Sequence, residues 1–280
     1  MAWKNLFCAF TNTSLVEPTL THAAALAATH QAHLEVLCLG VNRYTSDFFF
    51  TGGTAIAMSD RLESCQQEAV EIESVVRETL NTQSDISWSY SQGVTQLVDL
   101  GRVVTAKARF SDLAILPAPY GVNRGPECEP LTEAVLFDAH APTLILSDGA
   151  PVTTKPKHIM IAWNESPEAL QAIRASLDIL KEAKTVTVVV VDPPQHGPDR
   201  SDPGGLLSQY LSRHGIKVDI DVLSKTMPRV SDVLSRHAQE TKADMLIMGA
   251  YGHSRFREAV FGGATRAMLE RAPVPILMAR

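Results

Sequence analysis

Short runs of apolar residues alternate with longer stretches of helical periodicity along this chain. In its C-terminal half the apolar runs are Ile159–Trp163, Val186–Val191, Val218–Val222, Met245–Met248 and Ile276–Met278. These runs are nearly continuous in apolar residues, which is typical of strands covered on both faces. After the first run, Ser166–Ala183 begins with Ser-Pro, a preferred helix start, and carries apolar residues at helical spacing. The alternation predicts a parallel sheet with right-handed crossovers and helices on both faces.

The same succession of segments occurs twice. Four segment pairs match in order: KNLFCAF (4–10) with KHIMIAW (157–163), HLEVLCLG (33–40) with TVTVVVVD (185–192), SDLAILPAPYG (111–121) with ADMLIMGAYG (243–252), and APTLILS (141–147) with APVPILM (272–278). A repeat of this kind indicates a tandem duplication. We therefore predict two Rossmann-like α/β domains, residues 1–147 and 155–280, joined by a segment rich in Pro, Gly and Thr.

The amino-acid composition argues against some classes of binding partner. The 280 residues include 25 Lys and Arg against 31 Asp and Glu, so the formal net charge is −6. This balance argues against nucleic acid or an anionic membrane as the main partner. No apolar run approaches the roughly 18 residues of a membrane span, and the four cysteines lack metal-ligand spacing. We expect a reduced, soluble, cytoplasmic protein.

A glycine-rich stretch, GAYGHSRFREAVFGGATRAM (249–268), follows the fourth strand of the C-terminal half. Ligands of open parallel sheets bind outside the carboxyl ends of the strands, which is where Gly249 lies. Gly262, Gly263 and Ala264 precede a helical segment, and the first N–H groups of a helix attract anions. The intervening loop adds polar and cationic donors: His253, Ser254 and Arg255. The stretch therefore predicts a phosphate cradle.

The spacing of these glycines resembles a known signature. G-x2-G-x9-G, formed by Gly249, Gly252 and Gly262, is similar to the nucleotide-binding motif of the universal stress protein family. IMIAWNES, ADMLIMGAYGHSR and APVPILMAR resemble that family's first strand and turn, fourth strand and terminal strand. The resemblance implies a five-stranded parallel sheet in each half. It also implies that the halves pack as a pseudo-dimer through the terminal strands PTLIL and VPILM, and that tandem chains associate further, for instance as homodimers.

The resemblance implies a function and a set of ligand-binding residues. The expected protein is a non-catalytic stress-response regulator that binds ATP, ADP or AMP, with or without Mg²⁺. The turn Ala162-Trp163-Asn164 would contact adenine and ribose, and Val190 and Val191 would flank the base. Ribose and phosphates would be held by residues of the glycine stretch: Gly249, Gly252, His253, Ser254, Arg255, Gly262, Gly263, Ala264 and Thr265.

Two positions of the C-terminal half depart from the family pattern. Asn164 stands where binding members usually have Asp, and an amide accepts hydrogen bonds more weakly than a carboxylate. Gly263 stands where Ser or Thr normally follows the last glycine, so a hydroxyl for the terminal phosphates is missing. Thr265 could partly replace it. Both changes bear on affinity and on the preference for a triphosphate.

The N-terminal half departs further. Pro117 takes the place of Gly249, and Leu131 and Thr132 take those of the last two glycines. Two acidic residues, Glu127 and Glu129, lie nearby, and carboxylates repel a phosphate. We therefore expect this half to bind no nucleotide and to act as a structural partner.

Catalytic motifs are missing from the sequence. There is no P-loop, and Phe256 occupies the position of the last glycine of a nucleophile elbow, so Ser254 fits a phosphate contact better than a nucleophile. His30 and His33 are interpreted as a surface pair without acidic or thiol partners. Asp192 either binds magnesium or ribose, or caps the turn that follows it. We predict no metal site and no enzyme.

Two other functions stay open at this point. One is a slow ATP hydrolase or phosphotransferase, against which the missing catalytic motifs weigh. The other is a nucleotide-free scaffold or dimerisation protein in which the glycines only shape a turn. The departures at Asn164 and Gly263 favour the scaffold.

Overall fold

The computed structural model describes residues 3–43, 55–83, 85–149, 153–193, 202–250 and 263–280. The chain divides into two compact units, Ala2–Ala141 and Pro142–Arg280. The division falls before the last strand of the first repeat, so that strand belongs with the second unit. The domain limits drawn from the sequence repeat, 1–147 and 155–280, stay a prediction.

The first unit is a parallel α/β sheet. In the described residues its order is β3-β2-β1-β4, with parallel pairing throughout. Positions 6–10 of the first strand are all buried, as the continuous apolar run predicts. Its strands and α-helices are β1 (Asn5–Phe10), α1 (Val16–His30), β2 (His33–Asn42), α2 (Ala55–Asn81), β3 (Ser87–Gln96), α3 (Leu100–Ala108), β4 (Leu113–Pro117) and α4 (Cys128–Glu133).

The second unit has the order β5-β10-β9-β6-β7-β8. β5 pairs antiparallel with β10, Ile145 lying opposite Ile276, and the other pairs are parallel. The predicted α/β class, a mostly parallel sheet with helices, is confirmed. The elements are β5 (Thr143–Leu146), β6 (His158–Ala162), α5 (Pro167–Ala175), α6 (Leu177–Glu182), β7 (Thr185–Val191), α7 (Gly205–Arg213), β8 (Asp219–Leu223), α8 (Val230–Glu240), β9 (Met245–Gly249), α9 (Gly263–Arg271) and β10 (Ile276–Ala279).

The two repeats anchor their first strand in the same way. Asp112 Oδ2 accepts hydrogen bonds from the backbone N–H groups of residues 4 and 5, at 2.7 and 2.9 Å. Asp244 Oδ2 accepts the same two bonds from residues 157 and 158, at 2.7 and 2.9 Å. In each repeat the aspartate thus ties the beginning of the fourth strand to the beginning of the first. This shared arrangement supports the duplication deduced from the segment pairs.

The helical pattern over Ser166–Ala183 forms two helices. Ser176 separates them with φ −108° and ψ 4°, outside the helical region. Its buried hydroxyl donates a 2.7 Å hydrogen bond to the carbonyl of Ala172. A serine that bonds back to the preceding turn in this way bends a helix. The apolar spacing therefore predicted the buried face correctly and missed the break.

Candidate functional site

Three strand ends of the second unit lie side by side at its carboxyl edge. Ala162 at the end of β6 stands opposite Val189 of β7 and Met248 of β9. The turn after β6, the end of β7 and Gly249 are therefore neighbours, and their role as a ligand site stays a prediction. Gly263, Ala264 and Thr265 form the first turn of α9. The remaining predicted ligand residues lie outside the described ranges: Gly252, His253, Ser254, Arg255 and Gly262.

The turn after β6 is held by local hydrogen bonds. Trp163 N–H donates to the carbonyl of Val189 at 2.9 Å, which extends the strand ladder by one residue. Asn164 Oδ1 accepts from the N–H of Ser166 at 3.3 Å, and Ser166 Oγ caps α5. Exposed Asn164 can offer a ligand both its NH₂ group and the second lone pair of Oδ1. An amide donor can bond a ring nitrogen or a ribose oxygen.

The end of β7 presents one accessible apolar residue. Val190 is 7% exposed and belongs to the core, whereas Val191 is half-buried at the strand end. Asp192 follows with a positive φ of 51°, and its N–H donates to the carbonyl of Leu223 at 2.8 Å. Among the described residues, no group of three His, Cys, Asp or Glu side chains could hold a metal ion. Because Val190 is buried, Val191 is the residue of the two that can flank a ligand.

Gly249 has a structural role that the sequence did not reveal. A Cβ at this position would lie 2.5 Å from the backbone nitrogen of Ala169 and 2.8 Å from the carbonyl carbon of Glu168. The start of α5 therefore packs directly on the end of β9, and only glycine leaves room for it. This close packing explains the glycine without any ligand.

Gly263 differs from Gly249. Among the described residues, none has an atom within 4 Å of the position that its Cβ would occupy. Ala264 is exposed, whereas Thr265 is only 5% exposed. The surface at this helix start is thus made by small residues, and the first N–H groups of a helix have no partner within the helix. Such a surface can accept an anion.

The equivalent edge of the first unit is filled by an ion cluster. Arg43, which follows β2, donates to Glu127 through Nε (2.8 Å) and Nη2 (2.7 Å). It also donates to Glu68 of α2 at 3.0 and 3.2 Å, and to the carbonyl of Thr11 at 3.2 Å. The Thr11 hydroxyl donates to Glu127 Oε1 at 3.2 Å. The cluster therefore ties the ends of β1 and β2 to the residue that precedes α4.

Arg43 and Glu127 each stabilise the charged form of the other. Burial of Glu127, which is 1% exposed, favours a raised pKa for its carboxyl. The hydrogen bonds and charge of Arg43, with those of Thr11 and the backbone, outweigh burial, so the pKa lies below its ordinary value. The pKa of Arg43 is raised, chiefly by the hydrogen bond to Glu127. Glu127 and Arg43 thus form a fixed ion pair at neutral pH.

A cavity of about 660 Å³ lies beside the cluster, between the end of β2 and α2. Three carboxylates and two guanidinium groups line it: Asp60, Glu68, Glu71, Arg43 and Arg61. The excess of carboxylates disfavours a phosphate. Leu131 and Thr132, which replace the glycines of the other half, are both buried inside α4. Sequence reasoning identified Glu127 but missed Arg43 and Glu68, because no local pattern links them to it.

The predicted surface histidines take part in local structure. Both ring nitrogens of His33 lie 2.8 Å from serine hydroxyls, those of Ser87 and Ser89. The ring of His30 contacts that of Trp3, with centroids 4.8 Å apart. None of the helices in the described ranges has the length and apolar character to cross a membrane.

The second repeat matches a known protein family. Residues 155–280 match the profile of the universal stress protein family. A curated relative, universal stress protein Slr1230 of Synechocystis, is 30% identical over 76 residues, which are 27% of this chain and 25% of that protein. The matched segment therefore spans a quarter of the relative's length.

Two solved structures are similar over nearly the whole chain. A universal stress protein from Archaeoglobus fulgidus is 14% identical, with a TM-score of 0.70 over 98% of this chain and 97% of that one. A putative universal stress protein from Pseudomonas aeruginosa is 17% identical, with a TM-score of 0.62 over 99% and 92%. At these identities the likeness concerns the fold. Residues 155–280 thus match the universal stress protein family, and the chain has over its full length the α/β fold of these two solved structures.

Proposed function

We propose that this protein is a non-catalytic stress-response regulator that binds one adenine nucleotide, in its C-terminal half. The observation that carries the proposal is the family match of residues 155–280, which includes the whole G-x2-G-x9-G motif. The open first turn of α9 supports it, because small residues there leave backbone N–H groups accessible to phosphate.

Each part of the carboxyl edge has a role in this proposal. Trp163 and Asn164 meet the base and ribose, and the half-buried Val191 packs against the base. The first turn of α9 holds phosphate together with donors of the glycine stretch. Asn164 contributes a neutral amide in place of a carboxylate, so it accepts hydrogen bonds from ribose hydroxyls more weakly. We expect Mg²⁺, where present, to arrive with the triphosphate.

A single site per chain is part of the proposal. In the first unit, the ion pair of Arg43 and Glu127 occupies the carboxyl end of β1, where a nucleotide would otherwise enter. Glu127 is buried, and displacing it from Arg43 would leave an unpaired charge inside the protein. The first half then acts as a structural partner.

One observation favours the scaffold as a second candidate. Gly249 is required by the packing of α5, so part of the glycine motif exists without any ligand. In a scaffold the other glycines would likewise only shape the turn. The two functions differ in whether adenine nucleotides stabilise the folded chain.

Thermal unfolding with saturating ATP, ADP or AMP separates these functions. A ligand that binds only the folded state raises the unfolding temperature. We expect such a shift for the wild type and its loss in Gly263→Val, a change that meets no atom of the described residues within 4 Å of the Cβ. Gly101→Ala, in α3 of the other half, is the matched control and should keep the shift. No shift with any nucleotide contradicts the proposal, and steady phosphate release from ATP would favour the hydrolase.

A further inference from the structure

Among the described residues, the outermost strand of the first unit pairs along one edge only. β3 pairs with β2 along all ten of its residues, and it stands at the end of the strand order. Its sequence, SWSYSQGVTQ, contains no charged residue and no proline. Edge strands are normally shielded by charges, prolines, bulges or short length, because unpaired N–H and C=O groups invite another strand. β3 has neither charge nor proline, and it is long.

The outermost strand of the second unit shows the usual protection. β8 is five residues long and carries Asp219 and Asp221. The Asp221 carboxylate lies 2.9 Å from Nε2 of His237, which fixes a charged group beside the strand. The same fold thus contains one shielded edge and one that is open to pairing. The contrast marks β3 as an interaction surface.

The surface beside β3 is amphipathic. Val70 of α2 is 48% exposed and Tyr90 of β3 is 40% exposed, and the rings of Trp88 and Tyr90 lie 6.2 Å apart. A groove of about 410 Å³ runs along α2 and is lined by Val70, Glu73, Arg77 and their neighbours. It holds two carboxylates, Glu73 and Glu78, and one guanidinium, Arg77. In a two-fold contact the guanidinium of each copy can face a carboxylate of the other, and the strand itself adds no charge.

We propose that β3 pairs antiparallel with β3 of a second copy of this chain. The pairing continues the sheet across a two-fold axis and places each copy's α2 next to the other's. Self-complementarity selects the partner: the strand is neutral, and Glu73 on one copy can meet Arg77 on the other. The proposal concerns a surface of the first unit and does not depend on nucleotide binding in the second.

Sedimentation equilibrium of the full chain tests this interface. The wild type should have about twice the chain mass of 30.4 kDa at high concentration. Tyr90→Lys and, separately, Gln92→Lys should shift the mass towards a single chain, since each puts a charge on the pairing edge. Val222→Lys, at a residue of β8 that is 52% exposed, is the matched control and should remain a dimer.

Each other outcome overturns the proposal. A wild-type mass of one chain at every concentration means that β3 does not pair. A dimer that persists in both β3 variants places the interface elsewhere, and loss of the dimer in Val222→Lys shows that it is not specific to β3. Circular dichroism of the variants checks that each is folded, and the two β3 variants must agree.

Discussion

Arg43 and Glu127 lie 84 positions apart in the sequence and are joined by two hydrogen bonds of 2.7 and 2.8 Å at the carboxyl edge of the first sheet. In the second unit, we propose that the corresponding edge receives a nucleotide. In the first unit, the protein's own guanidinium and carboxylate meet there. The two repeats thus share a fold and differ in what fills the same place.

Arg43→Ala should destabilise the protein. The change leaves the carboxylate of Glu127 buried without its cation, and breaking a buried pair in this way costs about 3 kcal/mol. Arg102→Ala is the matched control, because Arg102 is 78% exposed and its pair with Asp99 belongs to the surface. Surface pairs contribute at most about 1 kcal/mol. Urea unfolding measures the free energy of unfolding of both variants. Equal losses would contradict the larger contribution expected of the buried pair.

Glu127 should make stability depend on pH in acid. Its pKa in the folded protein lies below the value of about 4.3 of an unfolded glutamate. The stabilisation from its charge is therefore fully present above that value and is lost as the pH falls through the folded pKa. Glu127→Gln should show a smaller loss of stability between about pH 5 and pH 3 than the wild type. The midpoints of urea unfolding, measured across this pH range, check the prediction. The same pH dependence in the wild type and in the variant would contradict it.

Gly249 and Gly263 should respond in opposite ways to alanine. Gly249→Ala forces a methyl group against the backbone of Ala169 and should cost about 1–3 kcal/mol. Gly263→Ala adds to a helix a methyl group that has no described atom within 4 Å, and it should be neutral or stabilising by up to about 1 kcal/mol. Thermal unfolding of the two variants without nucleotide measures the difference. A stable Gly249→Ala would contradict the packing described for α5.

The sequence predicted the elements better than their contacts. Continuous apolar runs predicted the strands, since a strand covered on both faces needs apolar residues throughout, as in β1 and β7. Periodicity over Ser166–Ala183 did not reveal the break at Ser176, because a hydroxyl that bonds to the preceding turn does not disturb the apolar spacing.

The residues that meet at the carboxyl edges of the two sheets were harder to predict from the sequence. Arg43, Glu68 and Glu127 come from a strand end, a helix and a loop, and no local pattern indicates that they meet. The packing of α5 on Gly249 is likewise a tertiary contact. A glycine motif alone cannot distinguish room for a ligand from room for a neighbouring helix.

Asn164→Asp should tighten nucleotide binding. A carboxylate can keep the hydrogen bond to the N–H of Ser166 and still accept bonds from ribose hydroxyls, which are stronger when the acceptor is charged. We expect roughly a tenfold lower dissociation constant, equivalent to about 1.4 kcal/mol. Competition between the wild type and the variant for a fluorescent ATP analogue measures the ratio. Weaker binding by the variant would mean that the residue faces the ligand as a donor.

The central claim is that one half of this chain binds nucleotide and the other is closed by its own ion pair. Calorimetric titration with ATP, ADP and AMP tests it most directly, because the stoichiometry counts the sites. The account predicts one nucleotide per chain, with binding lost in Gly263→Val and retained in Arg102→Ala. Two nucleotides per chain, or none with any of the three ligands, would contradict it.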